Sequence, residues 1–232
     1  KGYQISQYEY PLVAGGELNG VAITRVHLEE DTARSSHEGG ASVVDFNRAG
    51  VPLMELVTEP VIHDAKTAGD FARELQLLLR TLGASHANLE KGEMRVEANI
   101  SVSKDDTFGT KVEVKNLNSF RSVERAIAYE VERQVKLIEA GGKVTQETRG
   151  WDENKQQTFS QRVKEGSADY RYFPEPDLPK LVLSDLSDWS GEALRAALPE
   201  LPAERRARYE TLCLKAEDAA TLALSLPRSA YF

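Results

Sequence analysis

The sequence contains very little cysteine, and its charge is predominantly acidic. A single cysteine, Cys213, cannot build a disulfide framework or a multi-cysteine zinc site within the chain, and its helical surroundings predict a core position. Lys and Arg number 29 against 37 Asp and Glu, for a formal net charge of −8. Because nucleic acids are held mainly through Lys and Arg, we expect no extensive nucleic-acid surface here, although a local basic patch is compatible with this charge.

Long apolar runs and the common catalytic motifs are also missing. No apolar run approaches the roughly 20 residues of a transmembrane helix, and no signal peptide is evident, so we expect a cytoplasmic protein without a membrane partner. The sequence has no G-x-x-x-x-G-K-[ST], G-x-G-x-x-G or G-x-S-x-G motif, and its histidines lack H-E-x-x-H spacing. A Ser or Cys nucleophile therefore has no support.

The composition divides the chain into a mixed region and a helical tail. Its 232 residues are 41% hydrophobic, which suits one large domain or one domain with part of another. The chain begins without Met and ends just after an apolar helical stretch, so we expect a fragment of a longer protein. We assign residues 1–189 to a first domain and 190–232 to the start of a helical domain, with Pro199 and Pro202 near the boundary.

Apolar periodicity predicts both strands and helices. Period-two patterns predict strands over Gly20–Asp31, Ala41–Asn47, Val51–Thr58, Glu93–Val102 and Gly109–Asn116. Helical spacing predicts one helix from a cap at Asp64 to about Gly83, and a second from a cap at Ser119 or Asn118 to Gly141. The fold class predicted is therefore α+β, with a largely antiparallel sheet and packed helices, followed by the start of an all-α domain.

One carboxylate lies in the middle of an apolar strand pattern. In "VPLMELVTEP", Glu55 alternates with Leu53 and Val57 on one strand face. A carboxylate buried among such neighbours needs a cation or an Arg, such as Arg25 or Arg48. The nearby "HLEED" stretch adds further carboxylates at a strand end, and converging carboxylates are typical ligands of Mg²⁺. Taken alone, that acidic stretch is better explained as a solvated turn, but a lone Glu55 in so apolar a strand favours a shared metal or Arg partner.

Two further strands separate an apolar face from a charged face. "EMRVEANISV" places Arg95, Glu97 and Asn99 opposite its apolar residues, and "GTKVEVKN" does the same with Lys111, Glu113 and Lys115. A polar loop joins them, which predicts an antiparallel hairpin. The charged face is either a solvated surface with cross-strand ion pairs or the floor of a polar cleft.

Four long segments resemble one known family. They are "HLEEDTARSSHEGGASVVDFNRAGVPLMELVTEP", "FGTKVEVKNLNSFRSVERAI", "GGKVTQETRGWDE" and "DYRYFPEPDLP". Together, and in this order, they resemble the B subunit of the bacterial and organellar glutamyl-tRNA(Gln)/aspartyl-tRNA(Asn) amidotransferase. The resemblance runs from residue 1 to about residue 185 and is weaker in the helical tail. It implies a cradle-shaped α+β catalytic domain, then a helical domain, then a tail domain that contacts tRNA.

The resemblance also implies a reaction and its partners. ATP would phosphorylate the side-chain carboxylate of misacylated Glu-tRNA(Gln) or Asp-tRNA(Asn), and ammonia would then displace the phosphate to form the amide. The ammonia would come from a partner amidase, the A subunit, in a complex with a small C subunit. Misacylated tRNA would bind mainly through domains outside this chain. The isolated chain is then expected to be inactive.

Particular residues match the family's magnesium and substrate sites. The resemblance implies Glu30 and Glu55 as catalytic metal ligands for Mg²⁺. Strict strand alternation instead favours Glu29 beside His27, and Glu97, where the family usually has Asp, is a further candidate metal or substrate contact. The family's other ligands, a Glu and a His in a "GLEVH" motif, are absent from this sequence. Independently of the resemblance, the charged face of the predicted hairpin leads us to expect that Arg95, Glu97, Lys111 and Lys115 line the cleft for the aminoacyl end and the ATP phosphates.

Two alternative interpretations remain. The archaeal-type relative that acts only on Glu-tRNA(Gln) carries a large inserted domain, which the uninterrupted sequence here argues against. A non-catalytic scaffold that only docks the amidase is distinguished by replacing Glu30 and Glu55, because a scaffold would tolerate both replacements.

Overall fold

The computed structural model describes residues 10–163, residue 177 and residues 179–232. These residues form two compact units. Unit 1 holds residues 10–62, 177 and 179–181, and unit 2 holds residues 63–163 and 182–232. Most of the "DYRYFPEPDLP" segment lies outside the described residues. The mixture of helices with mainly antiparallel strands confirms the α+β class, whereas the predicted domain boundary near residue 190 stays a prediction.

Unit 1 is built from six strands. They are β1 (Val13–Ala14), β2 (Glu17–Leu18), β3 (Val21–Glu30), β4 (Arg34–Glu38), β5 (Ala41–Asp45) and β6 (Pro52–Thr58). The long strand β3 is central and pairs antiparallel with β1, β2 and β6. Two of the predicted strands of this region, over Gly20–Asp31 and Val51–Thr58, are therefore neighbours in the sheet, and their register positions the side chains described below.

A second hairpin in unit 1 was missed by the sequence pattern. Strands β4 and β5 pair antiparallel, with Glu38 opposite Ala41. The two residues between them, Gly39 and Gly40, have φ angles of +57° and +81°. Two successive positive φ angles are typical of the tight turn that matches strand twist, and glycine adopts them without steric cost. β4 is mostly polar, so it shows no apolar alternation from which to predict a strand.

Unit 2 combines a four-stranded sheet with two long helices. Its elements are α1 (Ala65–Thr81), β7 (Val96–Ile100), β8 (Val112–Leu117), α2 (Phe120–Glu139), β9 (Glu147–Asp152) and β10 (Gln157–Val163). The strand order is β10-β9-β8-β7. β7 and β8 form the predicted antiparallel hairpin. β8 and β9 pair in parallel, because α2 carries the chain back across the sheet between them.

Both predicted helix caps are present. The Asp64 carboxylate accepts a hydrogen bond from the backbone N–H of Thr67 at 2.8 Å. The Ser119 hydroxyl accepts one from the N–H of Ser122 at 3.0 Å. Each cap satisfies an N–H group that has no partner inside the helix. Beyond α1, Gly83 has a φ of +67°, which fits its predicted role as a helix stop.

A buried ionic network fixes α2 to the sheet. The Glu130 carboxylate of α2 is fully buried and accepts hydrogen bonds from Arg133 at 2.6 Å and from the Thr158 hydroxyl at 2.9 Å. A side-chain nitrogen of Arg149 on β9 lies 3.5 Å from the same carboxylate. Removing one member of such a network leaves buried charge uncompensated, so these contacts hold the strands and the helix in one relative position.

Short helices end the chain. They are α3 (Gly191–Ala197), α4 (Pro202–Thr211), α5 (Ala216–Ala223) and α6 (Leu226–Tyr231). Tyr209 is fully buried among them, and Arg206 of α4 donates two hydrogen bonds to Glu74 of α1. Cys213 is exposed, so its predicted core position is wrong; it lies in the turn after α4 with a φ of +65°. Within the part of the chain that the structure describes, every helix is too short or too polar to cross a membrane.

Candidate functional site

The pairing of β3 with β6 brings three potential metal ligands together. His27 lies directly opposite Glu55 in the register. Glu29 is two residues beyond His27 and shares its strand face. The His27 Nε2 atom is 3.0 Å from a carboxylate oxygen of Glu29 and 4.0 Å from one of Glu55. One ligand atom from each residue lies within 4.8 Å of the other two. This group is called the β3–β6 cluster below.

The cluster runs from a buried histidine to an accessible carboxylate. His27 is 1% exposed, whereas the side chains of Glu29 and Glu55 are 14% and 50% exposed. The apolar run around Glu55 predicted a more enclosed carboxylate, but β6 is only partly covered. An accessible Glu55 can reach an incoming ligand, while His27 fixes Glu29 from the buried side.

The structure does not bring Glu30 into this cluster. Glu30 is opposite Pro52 in the register and alternates to the other face of β3. Strand alternation, not the resemblance, therefore agrees with the geometry, and it favours Glu29. Arg48, one proposed partner of Glu55, has its Nε atom 2.8 Å from the Asp31 carboxylate.

In unit 2, charged side chains meet on one face of the sheet. The Lys115 ammonium lies 2.9 Å from a carboxylate oxygen of Glu97 and 3.4 Å from one of Glu113. The Glu113 carboxylate also accepts a hydrogen bond from the Thr148 hydroxyl at 2.9 Å. We call these four residues the polar face. Cross-strand ion pairs, the simpler of the two expectations for these strands, are thus present.

Opposing effects set the pKa of Lys115. Burial lowers this pKa, but the hydrogen bond and charge of Glu97, with those of Glu113, outweigh burial, so the pKa lies above its ordinary value of 10.5. The side chain is 37% exposed. Lys115 therefore stays cationic at neutral pH, held between two carboxylates.

A β-bulge directs Lys115 toward Glu97. Val96 pairs with Leu117 and Ala98 with Val114, so Lys115 and Asn116 together oppose Glu97. Asn116 takes a φ of +66°, a conformation that Asn tolerates better than most residues. Bulges commonly re-aim side chains beside functional sites.

The other two residues of the predicted cleft do not join the polar face. Arg95 is exposed just before β7, and Lys111 is exposed just before β8. Because these strands are antiparallel, their starts lie at opposite ends of the hairpin. Arg95 and Lys111 therefore flank the hairpin at its two ends.

His27 and Thr148 were not selected from the sequence. The one local signal for His27 is that it lies two residues before Glu29, so that both side chains are on the same face of the predicted strand. Thr148 reaches Glu113 only through the parallel pairing of β8 with β9, which depends on a crossover through α2 and leaves no local pattern.

The two groups differ in chemical capability. Carboxylate oxygens such as those of Glu29 and Glu55 suit a hard divalent cation, and a hydrogen-bonded neighbour such as His27 orients such a ligand. The polar face instead presents one ammonium between two carboxylates, which suits hydrogen bonding to a polar substrate.

Comparison with known proteins identifies the family. Residues 1–187 match the GatB/GatE catalytic domain. The B subunit of the aspartyl/glutamyl-tRNA(Asn/Gln) amidotransferase of Bordetella avium is 50% identical over 250 residues, which cover 100% of this chain and 51% of the relative. The B subunit of the enzyme of the same name from a strain of Thermus thermophilus is 50% identical over 228 residues, covering 96% of this chain and 48% of the relative.

A plant relative shows similar overlap. The B subunit of the chloroplastic/mitochondrial glutamyl-tRNA(Gln) amidotransferase of Physcomitrium patens is 46% identical over 253 residues, covering 100% of this chain and 44% of the relative. The chain thus spans about half the length of the curated relatives it matches. These matches confirm the resemblance found in the motifs, and the chain belongs to the GatB/GatE catalytic domain family.

Proposed function

We propose that this chain is the catalytic part of a tRNA-dependent amidotransferase subunit. The full protein would convert misacylated Glu-tRNA(Gln) or Asp-tRNA(Asn) into Gln-tRNA(Gln) or Asn-tRNA(Asn), with ATP as a substrate. The observation that carries the proposal is the β3–β6 cluster, found within the region that matches the catalytic domain of the family. The names of the relatives cited above support the choice of substrates.

The β3–β6 cluster is the proposed Mg²⁺ site. Glu29 and Glu55 would supply carboxylate oxygens, and their oxygens converge closely enough to share an ion. His27 would orient Glu29 through the hydrogen bond at 3.0 Å. Glu30 remains a candidate ligand on the resemblance alone. When bound, Mg²⁺ would neutralise charge that develops as a phosphoryl group is transferred.

The polar face is the proposed contact for the aminoacyl end of the substrate. Lys115 stays cationic at neutral pH and can donate hydrogen bonds to a carboxylate or phosphate oxygen. Glu97 and Glu113 hold that ammonium in place and can themselves accept bonds from a substrate amino group. The chain's own residues would thus orient the reacting group.

Other chains would supply what this one does not. The sequence has no nucleophile motif for hydrolysing glutamine, which fits a partner amidase, the A subunit, as the source of ammonia. We further propose a small C subunit in the complex, misacylated tRNA as a partner held mainly by other domains, and a cytoplasmic location. The net charge of −8 is consistent with weak tRNA affinity of this chain alone.

The test is reconstitution. The full-length protein and its amidase are incubated with Glu-tRNA(Gln), ATP, Mg²⁺ and ammonium, and the aminoacyl group is then analysed. We expect Gln-tRNA(Gln) to form, and to disappear when ATP or Mg²⁺ is omitted. Formation of Gln-tRNA(Gln) that is independent of ATP would contradict the proposal.

A further inference from the structure

An exposed aromatic ring lies in line with Lys115 across the sheet of unit 2. Phe159 of β10 pairs with Gly150 of β9, and Gly150 pairs with Lys115 of β8. Residues paired across neighbouring strands share a face, so the ring, the glycine and the ammonium form one row. The row ends at Glu97, which bonds Lys115 at 2.9 Å.

This row lies on the face of the sheet that α2 does not cover. Arg149 and Trp151 of β9 point toward α2, where they lie beside Glu130 and Tyr129 respectively. By strand alternation, Gly150 between them faces the other way. Phe159 on the same side is 41% exposed, so its ring is accessible to a ligand.

Gly150 is required by the position of the ring. A Cβ atom at Gly150 would lie 2.7 Å from the nearest carbon of the Phe159 ring and 2.5 Å from the Gln161 amide nitrogen. Both distances are too short for non-bonded atoms. The missing side chain therefore allows the ring to lie over the backbone of β9. One side of the ring thus lies against the backbone, and the exposed part of the ring forms a flat apolar platform.

Polar groups border the platform on two sides. Gln161 sits at a β-bulge, where the register shifts between Ser160 and Arg162, and its exposed amide can both donate and accept hydrogen bonds. On the other side, the single positive charge of Lys115 is outweighed by the two carboxylates of Glu97 and Glu113. A site with little net positive charge suits an uncharged ring with polar edges better than it suits a phosphate.

We propose that Phe159 is a stacking platform for an adenine base, with Gln161 beside the edge of that base. The proposal rests on the proposed function, which supplies two sources of adenine: ATP and the 3′-terminal adenosine of the tRNA. Stacking on an aromatic side chain is a general means of holding an unpaired base. The row would then place the ribose of ATP, or the aminoacyl end of the tRNA, toward Lys115.

The experiment distinguishes the contribution of the aromatic ring to binding from that of an apolar side chain of any shape. Phe159→Leu removes the π face but keeps an apolar side chain, Phe159→Tyr keeps the ring, and Phe108→Leu changes an exposed Phe elsewhere in unit 2. Equilibrium binding to the full-length protein is measured for ATP and for a short RNA hairpin with or without its 3′-terminal adenosine. We expect Phe159→Leu to weaken the binding of one of these ligands by about fivefold or more, because base stacking on an aromatic side chain usually contributes that much affinity. The Tyr variant and the Phe108→Leu control should stay within about twofold of wild type.

A fluorescence measurement reports contact directly and does not depend on the stability of the Leu variant. In Phe159→Trp, the new indole should be quenched by the ligand that stacks on it, beyond any change in the parent protein. Quenching by ATP identifies ATP as the source, and quenching that needs the terminal adenosine identifies the tRNA. Wild-type binding of both ligands by Phe159→Leu, with no quenching in Phe159→Trp, would overturn the proposal. Because binding is measured separately from turnover, this result can occur in a protein that transamidates normally.

Discussion

The imidazole Nε2 of His27 donates a hydrogen bond to a carboxylate oxygen of Glu29 at 3.0 Å. The two residues share one face of β3, and the register of β6 places Glu55 opposite His27. A buried histidine thus turns one carboxylate toward a second. This relationship distinguishes Glu29 from Glu30, although the two are adjacent in sequence and equal in charge.

The first prediction concerns the stability provided by that hydrogen bond. Glu29→Ala should lower the free energy of unfolding by about 1–3 kcal/mol, because it removes the acceptor of a buried donor. Glu30→Ala, on the opposite strand face, should lower the free energy of unfolding by a smaller amount. Urea unfolding of both variants gives the comparison. Equal losses would show that the His27–Glu29 contact does not stabilise the fold.

The second prediction addresses the metal ligand. In a Mg²⁺ titration of the full-length protein, the geometry predicts that Glu29→Gln weakens binding more than Glu30→Gln, because Glu29 shares the strand face of Glu55. Isothermal calorimetry provides the affinities. The reverse order would favour the assignment made from motif resemblance over the one made from strand register.

The third prediction is that Lys115 serves binding more than stability. Lys115→Ala should cost only about 0.2–1 kcal/mol of unfolding free energy, since partly exposed ion pairs contribute little. It should weaken substrate binding by about tenfold or more in the assembled enzyme. Lys104→Ala, in the exposed loop after β7, is the control. A variant that unfolds readily but binds substrate normally would assign Lys115 a structural role.

The fourth prediction concerns the buried network of α2. Glu130→Gln should destabilise the protein by about 3–5 kcal/mol, because Arg133 and Arg149 would keep buried charge without its counter-charge. Glu132→Gln, on the exposed side of the same helix, should change stability by less than about 0.5 kcal/mol. Thermal unfolding of unit 2, followed by tryptophan fluorescence, distinguishes the two. Similar midpoints would mean that the network is dispensable.

The network also predicts a dependence of stability on pH. Burial raises the pKa of Glu147, but hydrogen bonds from Ser160 and Arg149 and the charges of Arg149 and Arg133 outweigh burial, so this pKa lies below its ordinary value of 4.5. A lowered folded-state pKa adds stability that is fully present above the ordinary value and is lost as the pH falls through the folded-state pKa. The stability difference between wild type and Glu147→Gln should therefore shrink below pH 4.5. A stability difference that stays constant as the pH falls below 4.5 would contradict this.

The sequence predicted local features well and long-range pairing poorly. The caps at Asp64 and Ser119 and the β7–β8 hairpin depend on residues close in the chain, and each is present. The parallel pairing of β8 with β9 depends on a crossover through α2, so no local pattern reports it. For the same reason, the contact between Thr148 and Glu113 could not be predicted from the sequence.

The candidate site shows the same division. Strand alternation placed Glu29 beside His27 correctly, but the exposure of Glu55 depends on what covers β6, which alternation does not encode. Cys213 looked like a core residue in a helical stretch, yet a turn with positive φ carries it to the surface. Arg95 and Lys111 fit the charge pattern of the hairpin, and antiparallel pairing places them at its opposite ends, so their role in lining a cleft stays a prediction.

The central claim is that the β3–β6 cluster supports ATP-dependent activation of the tRNA-bound carboxylate. Its most direct test is single-turnover transamidation by the full-length enzyme carrying Glu55→Gln, with the exposed Glu59→Gln as the matched control. Glu55 is half exposed, so the variant should fold normally. We expect it to lose about a hundredfold or more in rate, since a metal ligand supports several kcal/mol of transition-state stabilisation, while Glu59→Gln keeps the wild-type rate. A Glu55→Gln enzyme that transamidates at the wild-type rate would contradict the account and favour a scaffold that only docks the amidase.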